Sequence, residues 1–440
     1  MTPASPQPRH GFEAFAYRDF TRYQMARVAA ILGAEAQSIA VAWQVYSISH
    51  RAIDLGYTGL ALFLPALLFL LPAGHVADRF DRRRVILICY SLQLLCTAAL
   101  AVLAWRNTQN IMAIYAVLFF IGTGRAFSAP SSSSLIPLLV PEIHFVNAVT
   151  WGGVVFQFAN ITGPALGGLL FTFPLARVLP AAARLEGAGI VYLFTLATLV
   201  WFIVMVFSMQ VRPGRVEHRA TTLKVMLAGF EYVRQSQLLL GSFSLDLFVV
   251  LLGGATALMP IFAHDILHQG PRGLGMLRAA PALGSVAMAL FMARFPMKRR
   301  AGHWLFICVS IFGIATIAFG LSRNLYLSLI SLFIAGAADT ISVIVRSSLL
   351  QLGTPPEVRG RASAVNSLFV GASNELGEFE SGLTAQWWGA VRATVIGGIG
   401  SLVVAGAWAA MFPKLRGADE LTSRALRARD PEEQEILTGF

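Results

Sequence analysis

Long apolar runs separated by short polar connections dominate the chain. They fall near 27–49, 56–76, 85–105, 110–136, 146–173, 188–210, 238–263, 273–295, 303–322, 325–350, 362–388 and 391–412. Each is close to, or above, the ~20 residues that cross ~30 Å of hydrocarbon as a helix. None alternates with period two, which argues against a β-barrel. Inside hydrocarbon every backbone amide must be satisfied within its own segment. The pattern therefore predicts an all-α membrane protein with twelve transmembrane helices. Gly, Pro and Ser interrupt the 110–136 and 325–350 runs, so their boundaries are the least defined.

Composition agrees with this pattern. Of 440 residues, 56% are hydrophobic and 13% charged, and the mean hydropathy is +0.65. A soluble domain averages about 25% charged residues, so too little polar surface exists to coat a water-soluble globule. The formal net charge of +11 would suggest nucleic acid in a soluble protein. Here most Lys and Arg sit in a few loops, topology explains them, and no nucleic-acid partner is expected. With residue 1 in the cytosol, the inside holds Arg9, Arg18, Arg22 and Arg27, then Arg79, Arg82, Arg83 and Arg84. It also holds Arg212, Arg215, Arg219, Lys224 and Arg234; Arg294, Lys298, Arg299 and Arg300; Arg359 and Arg361; and the basic tail from Lys414 to Arg429. The opposite side holds Arg51, Arg106, Arg177, Arg184, Arg272, Arg278, Arg323 and Arg392. The positive-inside rule then places both termini in the cytosol, as an even number of spans requires. No cleavable signal peptide is evident, because the first apolar run is too long for one. Cys89, Cys96 and Cys308 lie inside apolar runs and read as small buried apolar residues.

The longest polar connection, 211–236, divides six runs from six. The expected organisation is a cytosolic head 1–26, a six-helix bundle 27–210, the central cytosolic loop 211–236, a second six-helix bundle 237–413 and a cytosolic tail 414–440. The halves echo each other weakly: Ser133-Ser134-Leu135-Ile136 matches Ser347-Ser348-Leu349-Leu350, Pro141-Glu142 matches Pro356-Glu357, and Gly167 falls opposite Gly382. Duplicated halves around a midplane site are a transporter architecture, although chance likeness between apolar helices is the competing explanation.

The segment Gly74-His75-Val76-Ala77-Asp78-Arg79-Phe80-Asp81-Arg82-Arg83-Arg84 joins two apolar runs and is densely charged. Its G-x-x-x-D-R-x-x-R-R pattern resembles the loop between helices 2 and 3 of the major facilitator superfamily of secondary transporters. The resemblance implies the major facilitator fold, with two six-helix bundles, and a gating loop made of Gly74, Asp78, Arg79, Arg82 and Arg83. Gly74 is expected to let helices approach closely, Asp78 to meet a helix N-terminus, and the arginines to pair with acids or lipid phosphates. Asp81 replaces the family's second glycine. A plain topology anchor is the alternative reading of the loop.

Gly163-Pro164-Ala165-Leu166-Gly167-Gly168 resembles the fifth-helix signature of antiporters and exporters in that superfamily. Pro164 is expected to kink its helix, and Gly163, Gly167 and Gly168 to make a smooth face. The upstream glycines of the signature are missing, so a simple packing motif is the other reading. Intramembrane charges are functional suspects by default. Glu35, Arg125, Asp246 and Asp339 lie near the middles of runs 1, 4, 7 and 10, and the resemblance implies that these four helices line a central cavity. There a proton and a cationic group would compete for one carboxylate. The other reading makes each acid one half of a fixed structural pair. Glu375 and Glu378 share a helix face and need arginine partners, for which Arg125 and Arg346 are the deepest available. Asp246→Asn and Asp339→Asn are expected to insert normally and to change the pH dependence of transport.

The helix-11 run Asn374-Glu375-Leu376-Gly377-Glu378-Phe379-Glu380-Ser381-Gly382, with Arg359-Gly360-Arg361-Ala362-Ser363-Ala364-Val365-Asn366 ahead of it, and Gln37-Ser38-Ile39-Ala40-Val41-Ala42-Trp43-Gln44-Val45-Tyr46 resemble the bacterial enterobactin exporter branch, with its drug and secretion exporters. This implies proton-coupled export of a small amphipathic molecule, siderophore or drug, by a functional monomer in the bacterial inner membrane. Import of a small nutrient, or lysophospholipid flipping on the same fold, is the alternative. No Gly-x-x-x-x-Gly-Lys-Ser/Thr loop is present, which disfavours ATP. No cofactor, no metal site and no enzymatic cluster is expected. The proton gradient is the expected energy source.

Overall fold

In a computed structural model the described residues are 11–174, 187–210, 223–295 and 300–417. The first ten residues of the head with Arg9, then Arg177 and Arg184, the first part of the central loop with Arg212, Arg215 and Arg219, Lys298 and Arg299, and the tail beyond Gly417 lie outside them.

The described chain is helical. Its long elements are α1 (Arg18–Ser49), α2 (Ala52–Leu68), α3 (Leu70–Arg79), α4 (Arg82–Trp105), α5 (Ile111–Leu139), α6 (Glu142–Phe171) and α7 (Ala188–Phe207). They continue as α8 (Leu223–Gln235), α9 (Gln237–Gly253), α10 (Gly270–Arg294), α11 (Ala301–Leu321), α12 (Leu325–Gly353), α13 (Pro356–Trp388) and α14 (Ala390–Met411). Polar side chains at the run boundaries start several helices. Asp81 accepts from the Arg83 and Arg84 amides, Asn110 from Ala113, Ser236 from Leu239 and Asn324 from Tyr326. Each satisfies an amide that has no partner in the first turn.

Ten helices among the described residues are long and apolar enough to cross a membrane, or up to 11 if the bent pair α2 and α3 is one span. The chain is thus a multi-pass membrane protein. Two expected runs depart from a single straight helix. The 56–76 run bends by 57° between Leu68 and Leu70. Pro72 explains the break, because its ring would strike the Leu68 carbonyl and it offers no amide to bond there. The 238–263 run stops at Gly253 and resumes as a 3-10 turn (Ala255–Leu258), a short α turn and a π turn (Phe262–Ile266). The 362–388 run lies within α13, 33 residues long, whose charges keep it out of the apolar set.

By internal contacts the chain divides into two units, Met1–Val41 with Ala61–Ala220, and Ala42–Leu60 with Thr221–Phe440. In the first, Phe20, Tyr23, Ile86, Leu135, Phe202 and Val206 form a buried cluster, with Tyr90 stacked 3.7 Å from Phe202. In the second, Leu245, Val249, Leu305, Val309, Val345 and Leu349 form the core. Small residues let helices touch at backbone level, as membrane helices require. A Cβ on Gly284 would strike the Phe333 carbonyl, and one on Gly336 the Pro281 carbonyl. All three cysteines are free and buried.

Candidate functional site

In the second unit, α9 carries Asp246 and α12 carries Asp339 and Arg346. Asp339 sits at the midpoint of its 29-residue helix, about 21 Å from either end at ~1.5 Å per residue. Arg346 lies seven residues on, two turns along the same face. Arg346 is 5% and Asp246 7% exposed, and the two form an ion pair. The Arg346 Nε is buried without a hydrogen-bond partner. Asp246 and Asp339 line one cavity of about 10 Å³ with Val249, Cys308, Phe312 and Ser342, room for about one water molecule. Among the described residues no hydrogen bond or ion pair involves the Asp339 side chain.

Arg346 is therefore engaged with Asp246 rather than with the acids of α13, a correction to the expected pairing. Glu375 and Glu378 instead turn toward α2. Their Oε2 atoms lie 3.4 and 3.0 Å from where a Cβ on Gly59 would stand. Gly56 and Gly382 bring the same two helices together, the Gly56 Cβ position being 3.1 Å from the Phe379 Cα and the Gly382 one 3.0 Å from the Ala52 carbonyl oxygen. Glycine at 59 leaves room for two carboxylates that would otherwise press on a side chain.

In the first unit, Glu35 on α1 faces the fifth-run motif. A Cβ on Gly163 would lie 2.5 Å from the Glu35 Cβ, and one on Gly167 2.8 Å from the Ala36 Cα. Gly163, Pro164, Gly167 and Gly168 are all buried, and α6 runs through Pro164 for 30 residues without interruption. The motif is thus a close-packing face against α1, and the helix does not end at Pro164. Arg125, midway along α5, is exposed and in no ion pair among the described residues. A charge at that depth is a functional suspect. Sequence reading missed two polar neighbours of this region. Arg27 donates to the Gly152 carbonyl at 3.4 Å, and Gln24, 1% exposed, has no partner for either amide atom. The Arg27 and Arg125 charges both act on the Tyr90 hydroxyl.

The 74–84 segment is the end of α3, a two-residue break and the start of α4. Gly74 has nothing within 4 Å of its Cβ position, so it makes no close helix approach. Asp81 caps α4, which explains how a non-glycine serves there. Among the described residues Arg83 forms no ion pair. Its guanidinium donates to the Val206 carbonyl at 3.0 Å and to that of Phe207, and covers the Phe207 ring. It caps the negative end of the α7 dipole. Among the described residues no side-chain hydrogen bond or ion pair involves Asp78, Arg79 or Arg82.

A second polar cluster in the second unit escaped the sequence reading. The last turns of α1 bring Trp43, Tyr46 and His50 against the π turn. Tyr46 donates its hydroxyl to Asp265 Oδ2, while His264 Nδ1 meets Asp265 Oδ1. The His264 ring lies 5.2 Å from Trp43, 5.7 Å from Tyr46 and 5.8 Å from His50. His268 Nδ1 reaches the His264 carbonyl at 3.1 Å.

A family model described as transmembrane secretion effector matches residues 10–437. The enterobactin exporter EntS of Citrobacter koseri is 26% identical over 387 residues, covering 86% of this chain and 84% of its own. The enterobactin exporter EntS of Escherichia coli O81 is also 26% identical, with the same coverage. Among solved structures, a bacterial homologue of the human lysosomal transporter Spinster superposes with a TM-score of 0.72 at 16% identity, covering 91% of this chain and 98% of that one. The nucleoside transporter NupG superposes at 0.66 and 15% identity, covering 90% and 99%. These two likenesses describe the fold.

Proposed function

The chain belongs to the transmembrane secretion effector family of the major facilitator superfamily, and on that premise we propose that it is a proton-coupled exporter. It is a transporter of the bacterial inner membrane and not an enzyme. Its cargo is a small amphipathic molecule, a siderophore or a drug, in keeping with the exporters it resembles. It spans the membrane twelve times as two six-helix bundles with both termini in the cytosol, α13 being the least apolar span, and works as a monomer.

The observation that carries this reading is the pairing of Asp246 with Arg346 beside Asp339 on one water-sized cavity. Two carboxyl groups and one guanidinium are electrically neutral when they hold a single proton. A net charge is costly at that depth, so the site favours exchange of that proton over retention of a bare carboxylate. Asp246 is committed to the pair, which leaves Asp339 as the group that loads and unloads. Arg125, Glu35, Glu375 and Glu378 supply further polar positions for cargo. The 74–84 segment, tied to α7 through Arg83, acts as the gating element of the first unit.

Proteoliposomes test this. Ethidium, as a cationic amphipathic probe, and a catecholate siderophore should each be offered across an imposed pH step. Movement against the cargo gradient, abolished by a proton ionophore, is the expected result. Ionophore-insensitive movement would remove proton coupling. Accumulation in the opposite direction would replace export with uptake.

A further inference from the structure

In the second unit α11 and α14 pack side by side, and a groove of about 410 Å³ lies between them. The residue choice on each helix makes the hollow. One wall is Ile307, Ile311 and Ile314 of α11, spaced four and three residues apart and so on one helix face. The other is Ala405, Gly406 and Ala409 of α14, too small to fill the space. The Cβ position of Gly406 has nothing within 4 Å, so the groove is open down to the backbone. Ile311 and Ile314 are exposed, whereas Leu305 and Val309 of the same helix are buried in the core. The groove therefore opens on an apolar surface that the bilayer covers.

One end of the groove is polar. His303, in the first turn of α11, and Arg416, in the turn Pro413–Arg416 that follows α14, both line it. Gly302 brings the two segments together, because the Leu415 and Arg416 carbonyls pack where its Cβ would stand. The His303 and Arg416 side chains are exposed, and among the described residues no hydrogen bond or ion pair involves either. Neither helix nor the turn contains an Asp or Glu. No side chain caps the start of α11, so the positive end of its dipole adds to the Arg416 charge. This end of the groove is complementary to an anion.

The apolar part has the length of one leaflet. From His303 to Ile314 the helix rises about 16 Å at ~1.5 Å per residue, against ~15 Å for half of a ~30 Å hydrocarbon layer. Trp304, exposed beside His303, is of the residue type that gathers at headgroup level. An anion at the interface continued by a tail of leaflet length is a phospholipid. We propose that the groove between α11 and α14 is a binding site for one anionic phospholipid, with its phosphate at Arg416 and His303 and an acyl chain along Ile307, Ile311 and Ile314. That the lipid comes from the cytosolic leaflet rests on the topology of the proposed function, whereas the groove and its charge do not.

Native mass spectrometry of the intact, detergent-solubilised protein, titrated with palmitoyl-oleoyl phosphatidylglycerol, tests the site. One lipid should be retained per chain, more tightly than phosphatidylcholine with the same chains, and excess inorganic phosphate should not displace it. Arg416→Gln should weaken retention about fivefold, as expected for one cation beside anionic lipid. Gly406→Leu keeps every charge and fills the open space, and it should remove the tightly held lipid while leaving the thermal midpoint unchanged. Arg84→Gln, an exposed cation at the start of α4, should change nothing. A built groove is distinguished from ordinary surface attraction by the Gly406→Leu result. Retention unaffected by Gly406→Leu, equal losses in Arg84→Gln and Arg416→Gln, or phosphatidylcholine held as tightly would overturn the proposal. So would displacement by free phosphate, or a dimer mass that Gly406→Leu abolishes, which would make the occupant a second copy of this chain. These measurements involve no gradient, so a failure of proton coupling leaves them intact.

Discussion

Arg346 and Asp246, a hundred positions apart, form a buried ion pair that ties α12 to α9 within the second unit. Removing one partner leaves the other charge uncompensated in a low-dielectric interior. Asp246→Ala is therefore expected to destabilise the protein by about 3–5 kcal/mol, seen as a lower unfolding midpoint in detergent. The double variant Asp246→Leu/Arg346→Met should recover most of that loss. A single variant as stable as wild type would show that the pair contributes little. This revises the expectation that Asp246→Asn perturbs only pH dependence.

Among the described residues Asp339 has no such pair, so its substitution separates chemistry from folding. Asp339→Asn should keep the unfolding midpoint within about 1 kcal/mol of wild type, as an isosteric change without a lost partner allows. It should also lose most ionophore-sensitive transport. Normal proton-driven transport across pH 6–8 in this variant would eliminate Asp339 as the exchanging group.

Gly163 and Gly167 are packed where a side chain has no room. Gly167→Val would press on the Ala36 backbone and should cost about 1–3 kcal/mol. Gly74→Ala, with open space around it, should cost nothing measurable. Comparing yields and thermal midpoints of the two variants checks the contrast, and equal behaviour would contradict the packing described for α6 and α1.

Arg83 and Asp81 stabilise helix ends of opposite polarity. Asp81→Ala should cost about 1 kcal/mol through loss of the α4 cap. Arg83→Gln should weaken the hold on the Val206 and Phe207 carbonyls and raise amide exchange in the last turn of α7. Hydrogen exchange by mass spectrometry reads both. Unchanged protection at residues 206–208 in Arg83→Gln would refute the capping role.

Sequence reading located the charged positions without showing what they touch. It placed Asp246, Asp339 and Arg125 at mid-helix by counting residues, and the structure keeps all three there. It offered Arg346 to Glu375 and Glu378, because spacing along a helix cannot say which neighbour packs against it. The His264 cluster was missed for a related reason. A break at Gly253, a 3-10 turn and a π turn re-aim the residues after it, so straight-helix periodicity does not carry to residue 264. The available signal was a Tyr, three His and an Asp gathered at the ends of two apolar runs.

Apolar run length and the position of each charge follow from the chain itself, because the cost of exposing backbone or charge to hydrocarbon acts on local segments. Membrane residence, helical class and the list of suspect side chains were therefore determined by the order of residues alone. Which carboxylate is neutralised by Arg346, which glycine meets Glu35, and which imidazole leans on Asp265 depend on angles and contacts between distant segments. Those were decided only when the helices packed.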